Sequence, residues 1–234
     1  MPQYIDSDSL TASEKQENDF RDLLQKYFEK HGFTFSETQL KQFVTYRDEL
    51  KRWNQKINLT AILDDHGIIV KHFLDSLSIL CCFSMPKYAK IADVGTGAGF
   101  PGLPIRIYRP DVEMSLIEAS KKKAAFLKYL LSILGLKNIE VANARAEELI
   151  NLSDYNSQYD LVLIRYVASI IDSAEYCIPL LRTNGTLIAY KAWDVRSELR
   201  EAKPKLQQLG AVINGVIKSE ITDIRRSFVL ISKI

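Results

Sequence analysis

Three glycines alternate in Gly95-Thr96-Gly97-Ala98-Gly99, directly after the apolar run Ile91-Ala92-Asp93-Val94. Glycines at the end of a strand let a ligand approach the backbone, since no Cβ intervenes and positive φ costs little. A dinucleotide fingerprint places glycines at the first, third and sixth loop positions. Counted from Gly95, the sixth position is Phe100, whose ring would obstruct that approach. No Gly-Lys-Ser/Thr closes the turn, so a P-loop is excluded. The bare shelf suits a zwitterionic amino acid with a sulfonium and no phosphate, the methionine end of S-adenosylmethionine. Its ammonium can meet backbone groups and Asp93, directly or through water. Glu118 ends the run "SLIEA" about 20 residues further on, where a carboxylate accepts from ribose hydroxyls. That position alone would fit a nicotinamide cofactor equally well. In "NARAEEL", the backbone and carboxylate of Ala146-Glu147 can read an adenine edge, while Glu147 and Glu148 also suit a helix N-terminus.

The elements that position these residues fall into two parts. Phe20, Leu23, Leu24, Tyr27 and Phe28 recur at helical spacing up to Gly32. A second helix begins at Ser36, with Gln39 at capping-box spacing, and carries Leu40, Phe43, Val44, Arg47, Leu50 and Trp53 on one face. A third covers about Gly67 to Cys82 with Ile69, Phe73, Leu77 and Leu80 aligned. After Met85-Pro86 the pattern changes to seven β-rich runs, "KIADVG", "EMSLIEA", "IEVANA", "YDLVLIR", "GTLIAYKA", "AVINGVIK" and "SFVLISK". Helical stretches separate the first six, which predicts parallel strands with crossovers. Only "SEITDIRR" separates the last two, so the seventh strand is expected to run antiparallel. That order is the usual one for S-adenosylmethionine-dependent methyltransferases and unusual for a nicotinamide-binding Rossmann domain. The expected fold is therefore α/β, Rossmann-like of the class I methyltransferase type, with an N-terminal helical extension. Residues 1–19 are expected to be an acidic, flexible terminus, 20–85 the helical extension and 86–234 the methyltransferase domain.

Other chemistries find little support. Cys81, Cys82 and Cys177, like His31, His66 and His72, lack metal-ligand or disulfide spacing, so no metal is expected. No apolar stretch reaches the length of a membrane span, and the polar N-terminus lacks a secretory pattern, which predicts a cytoplasmic protein; a monomer is the expected state. Net charge is only +2, but residues 1–19 hold five acids and one base, leaving 30 bases against 24 acids beyond them. That surplus is compatible with an RNA partner without requiring one. The fourth run ends Ile164-Arg165-Tyr166-Val167, lacking the Asn/Asp-Pro-Pro-aromatic pattern of amine methylation, and no Pro-Cys nucleophile for cytosine C5 is present. No acid-base pair is evident in the sequence, and no catalytic acid-base residue is assigned. Arg165 can orient the methionine carboxylate, guanine O6 or a phosphate, or pair with an acid such as Asp172. His72 and Asp75 can share a helix face, as a lip of an RNA pocket or as a structural tie. Arg47, Lys51, Arg52 and Lys56 are either phosphate contacts or a solvated face, whereas "SKKKAAFLKYL" reads as an ordinary amphipathic helix.

The motifs "RWNQKINLTAI", "KHFLDSL", "DVGTGAGFPGLPI" and "RAEEL", followed by a strand ending in Arg165, resemble in order the RsmG (GidB) family of bacterial 16S ribosomal RNA guanine-N7 methyltransferases. The resemblance runs from about residue 35 to the C-terminus. It implies S-adenosylmethionine contacts from Gly95, Phe100, Ala146, Glu147 and Arg165, beside Asp93, Gly97 and Glu118 read from the turn. It also implies RNA-facing roles for Lys71, His72, Lys191 and Arg226, with 16S ribosomal RNA or the small ribosomal subunit as partner. Two positions depart from the family pattern. Tyr166 replaces a small residue after Arg165 and is expected to restrict or stack in the base pocket, and Ala192 replaces the glycine after Lys191. The alternatives are a methyltransferase of another RNA or a small molecule, a nicotinamide oxidoreductase, and a non-catalytic RNA-binding module.

Overall fold

A computed structural model describes residues 12–165, 169–221 and 224–234, with side chains from Glu17 onward. Tyr166 therefore lies outside the described residues. The chain opens with α1 (Ala12–Lys30) and α2 (Glu37–Asn54). Thus α1 begins eight residues before Phe20, inside the segment expected to be a flexible acidic terminus. In α2, Ser36 Oγ accepts from Gln39 N while Gln39 Oε1 accepts from Ser36 N, the capping box that the spacing predicts. Next come α3 (Asp65–Gly67), a π-helical stretch (Ile68–Leu74), α4 (Asp75–Leu77) and a 3-10 turn (Ser78–Cys81), one continuous helical segment from 65 to 81.

The sheet then alternates with helices: β1 (Lys90–Val94), α5 (Gly102–Tyr108), β2 (Glu113–Ile117), α6 (Lys121–Leu134), β3 (Ile139–Ala142), α7 (Ala146–Leu149), β4 (Tyr159–Arg165), α8 (Ile170–Cys177), β5 (Leu181–Lys191), α9 (Arg196–Gln208), β6 (Ala211–Ser219) and β7 (Arg226–Lys233). The seven strands lie in the order β3-β2-β1-β4-β5-β7-β6. The first five pair in parallel, and β7 inserts antiparallel between β5 and β6. The short link before β7 permits this hairpin, as the sequence predicts.

Strand alternation divides the core into two layers. Ile91, Leu161, Leu163, Ile188, Tyr190 and Phe228 face one side, where they join Phe43, Phe73, Leu103 and Phe126. Ala92, Val94, Val162, Ile164, Ala189 and Val229 face α7, α8 and α9 on the other. The N-terminal helices share the first core with the sheet: Phe20, Leu24 and Phe28 belong to the same cluster as Leu163. Two α2 glutamines tie the extension down, Gln39 Nε2 donating to Ile107 O at 2.8 Å and Gln42 Nε2 to Leu134 O at 2.9 Å. In α6, Phe126, Leu127 and Leu130 are buried and Ser120 caps the N-terminus, as its amphipathic pattern predicts.

Candidate active site

In a parallel sheet, ligands gather at the carboxyl ends of the strands where crossovers change direction, here between β1 and β4. The glycine turn leaves β1 at that place. Gly95, Gly97 and Gly99 have φ of 69°, 62° and 107°, values that only glycine adopts cheaply. Their roles differ. Gly95 is exposed, and a Cβ on Gly97 would meet nothing nearer than Gly95 O at 4.0 Å, so this part is an open shelf. A Cβ on Gly99 would lie 2.7 Å from Tyr46 Oη, so this glycine admits α2 rather than a ligand. Gly102 is similarly close, its Cβ position being 2.8 Å from Asp93 Oδ2.

The two acids at the turn act on backbone. Asp93 is fully buried; its Oδ2 accepts from Thr96 Oγ1 at 2.6 Å and Gly102 N at 2.7 Å. Asp93 therefore braces the turn from below instead of projecting onto the shelf. Burial pushes its carboxyl up to about 6, against the opposing pull of the Thr96 and Gly102 hydrogen bonds. Glu118, just past β2, accepts from Gly97 N at 3.0 Å and Ser120 N at 2.7 Å. Each of its oxygens keeps a lone pair for a further donor. Asn143 Nδ2 donates to Glu118 O at 2.9 Å, linking the ends of β2 and β3. Ala146 is buried and Glu147 exposed in α7, next along this edge, and Glu148 Oε2 accepts from Arg145 N.

Alternation along β1, β4 and β7 turns Asp93, Arg165 and Arg226 toward the 65–81 segment. There Asp75 gathers both arginines: its carboxylate accepts from Arg165 Nη1 at 2.8 Å and from Arg226 Nε and Nη2 at 2.9 and 3.0 Å. Lys71 O also accepts from Arg165. Asp75, not Asp172, is the acid that holds Arg165; Asp172 pairs with Ser169. Above them Tyr46, Phe100 and His72 form a stack, with centroids 5.3 Å and 4.5 Å apart and interplanar angles of 12° and 14°. Arg165 Cζ lies 5.2 Å from the Phe100 ring centroid. Tyr46 donates to Ala98 O at 2.7 Å and so fixes the glycine turn from α2.

This geometry corrects several expectations. Arg226, 4% exposed, is engaged by Asp75, and His72 by Thr60 and the Phe100 ring, so both side chains are committed to contacts within the protein. The Phe100 side chain likewise belongs to the stack beneath the turn, not to the shelf. Lys71 is exposed, and Lys191, half-buried at the end of β5, pairs with Glu198 at 2.7 Å. Burial lowers His72 to about 4, with the Arg165 charge adding to it, so the ring is neutral at physiological pH. Its Nε2 lies 2.8 Å from Thr60 Oγ1, and Asn54 Oδ1 accepts from Leu59 N and Thr60 N. The "RWN" and "NLT" motifs are thus parts of one brace running from α2 to the stack. Tyr46, Gly102 and Asn143 also hold the site, and the only local signal among them is a tyrosine on the mainly apolar buried face of α2. Arg47 pairs with Asp65 and lies over Phe20, Lys51 pairs with Asp65, and Arg52 bonds to Tyr129, while Lys56 is exposed.

A β3-β2-β1-β4-β5-β7-β6 sheet with a glycine turn after β1 and an acid after β2 defines the Rossmann-like class I methyltransferase fold. Solved structures share it. A SAM-dependent methyltransferase from Aquifex aeolicus superimposes with a TM-score of 0.56 at 17% identity, covering 74% of this chain and 95% of that one. TYW2 from M. jannaschii in complex with AdoMet gives a TM-score of 0.56 at 15% identity, over 74% and 80%. Residues 39–227 match the family described as GidB, rRNA small subunit methyltransferase G. The ribosomal RNA small subunit methyltransferase G of Clostridium perfringens strain 13 is 39% identical over 215 residues, 91% of this chain and 90% of that protein. The protein of the same name from Roseiflexus sp. strain RS-1 is 40% identical over 205 residues, 87% of each. The chain belongs to this family of methyltransferases.

Proposed function

We propose that the chain transfers the methyl group of S-adenosylmethionine to N7 of a guanine in 16S ribosomal RNA, as naked RNA or in the small ribosomal subunit. One observation carries the choice of donor: the N-terminus of α5, where a dinucleotide fold would seat a pyrophosphate, has no N–H to give. Gly102 N donates to Asp93, Leu103 N to Gly99 O and Ile105 N to Pro101 O, while Pro104 has none. A phosphate there would also face the Asp93 carboxylate. The remaining features fit the methyl donor. Gly95 and Gly97 leave backbone for its amino-acid end, Glu118 accepts from its ribose hydroxyls, and Ala146-Glu147 flank its adenine. The bound donor supplies an electrophilic methyl on a sulfonium.

What the chain contributes is position. Guanine N7 has no proton to lose, and the nearby His72 is neutral and engaged by Thr60, which agrees with a reaction that needs no general base. Holding two reactants in line is worth on the order of 7 to 11 kcal/mol. Asp75, shared between Arg165 and Arg226, fixes the Arg165 guanidinium in place, so Arg165 serves as an orienting group. Titration calorimetry tests the donor: S-adenosylhomocysteine is expected to bind and NAD to give no heat. NAD binding with no response to S-adenosylhomocysteine would overturn the reading.

A further inference from the structure

The strand directions bring a cationic cluster onto the same edge as the donor shelf. β6 runs parallel to β5, so its last residues lie beside the carboxyl end of β5 and the start of β7: Lys191 pairs with Ser227, and Ser227 with Lys218. Trp193, two residues past β5, is anchored there by Ser227 Oγ, which donates to Trp193 O at 2.8 Å. The indole holds two exposed cations, Lys218 Nζ at 4.2 Å from a Trp193 ring centroid and Arg225 Cζ at 5.5 Å. Among the described residues Lys218 forms no salt bridge, and Arg225 has only the exposed Glu220 at 3.9 Å. Asp194 is held by Arg196 at 2.8 Å. An exposed ion pair is weak enough for a phosphate to displace, and a cation already ordered over a ring loses less freedom on binding one.

We propose that Lys218 and Arg225, positioned by Trp193, bind backbone phosphates of the RNA strand on its way to the donor cleft. The inference rests on the RNA reading above and adds where the strand runs. In the order β1-β4-β5-β7-β6, Lys218 on β6 stands four strand spacings from β1, about 19 Å, and Arg225, just before β7, three, about 14 Å. The cluster therefore contacts nucleotides flanking the target, not the target base. Lys218, Arg225 and Trp193 belong neither to the glycine turn nor to the Asp75 triad nor to the Tyr46-Phe100-His72 stack.

The test is filter binding of deproteinised 16S ribosomal RNA across a salt series, beside S-adenosylhomocysteine calorimetry and thermal unfolding. The double variant Lys218→Ala/Arg225→Ala is expected to bind the RNA roughly tenfold more weakly near 0.1 M salt, with the log-log salt slope reduced by about 1.5. Its thermal midpoint and S-adenosylhomocysteine affinity stay at the parent values. Trp193→Phe keeps the parent RNA affinity, and Trp193→Ala loses part of it. In methyl transfer, the double variant raises KM for RNA at constant kcat. Unchanged RNA affinity and slope in the double variant overturn the proposal. Absence of methyl transfer to RNA by the parent protein, with the affinity difference intact, overturns the assigned reaction and leaves this surface standing.

Discussion

A single carboxylate holds two guanidiniums at the centre of this molecule. Asp75 is 1% exposed at its side chain, with Arg165 and Arg226 at 5% and 4%. Removing one member of such a group leaves uncompensated buried charge, which costs about 3–5 kcal/mol. Asp75→Asn is therefore expected to lower the unfolding free energy by that order in urea titrations, and a change below about 1 kcal/mol would contradict the pairing. Gly95→Asp tests the shelf itself. Its φ of 69° disfavours any side chain, and a carboxylate there would occupy the methionine end of the donor. Calorimetry is expected to show S-adenosylhomocysteine binding lost; retained affinity would move the amino-acid end elsewhere. Residues of this kind were only partly legible in the sequence. Glycine spacing and Glu118 follow from local grammar, but Asp75 and Lys71, which bind Arg165, lie 90 and 94 residues away in sequence, where only docking of the helical segment onto the sheet decides them. For the same reason Arg226, read as RNA-facing, is a buried member of the core.

Helix α2 meets the glycine turn through a contact with no slack. A methyl group on Gly99 would stand 2.7 Å from Tyr46 Oη, at a φ of 107°. Gly99→Ala is expected to destabilise by about 1–3 kcal/mol. Combined with Tyr46→Phe, which removes the obstructing oxygen and its bond to Ala98 O, the cost should fall short of the sum of the two single changes. Strict additivity in a double-mutant cycle would show that the two elements do not press on one another. At this scale the sequence was most informative. Period-two alternation in "YDLVLIR" and "SFVLISK" and the short last link fixed seven strands and one reversal, and Ser36 with Gln39 marked a helix start. The π-helical stretch Ile68–Leu74 was invisible, because its apolar residues also satisfy α-helical spacing. Within and just after this stretch, His72 stacks on Phe100 and Asp75 binds Arg165.

Over the whole molecule, two buried groups oppose each other in their response to pH. Asp93, raised to about 6 by burial, contributes stability that is complete below its unfolded value and lost as pH rises through 6. His72, lowered to about 4, contributes stability present above its unfolded value and lost as pH falls toward 4. Each shift corresponds to about 3 kcal/mol. His72→Phe is expected to flatten the acid limb of the stability profile between about pH 6.5 and 4; an unaltered acid limb in urea unfolding would show that this ring does not titrate on unfolding. Both groups lie beneath the glycine turn, Asp93 bonded to Thr96 and Gly102 and His72 stacked on Phe100, as the proposed positioning role requires. The most direct measurement is to incubate the protein with methyl-labelled S-adenosylmethionine and 16S ribosomal RNA or small subunits, digest the RNA and identify the labelled nucleoside. The account predicts label in 7-methylguanosine at one position, absent with Gly95→Asp. Label on an exocyclic amine or a cytosine carbon, or none in RNA while the donor binds, would contradict it.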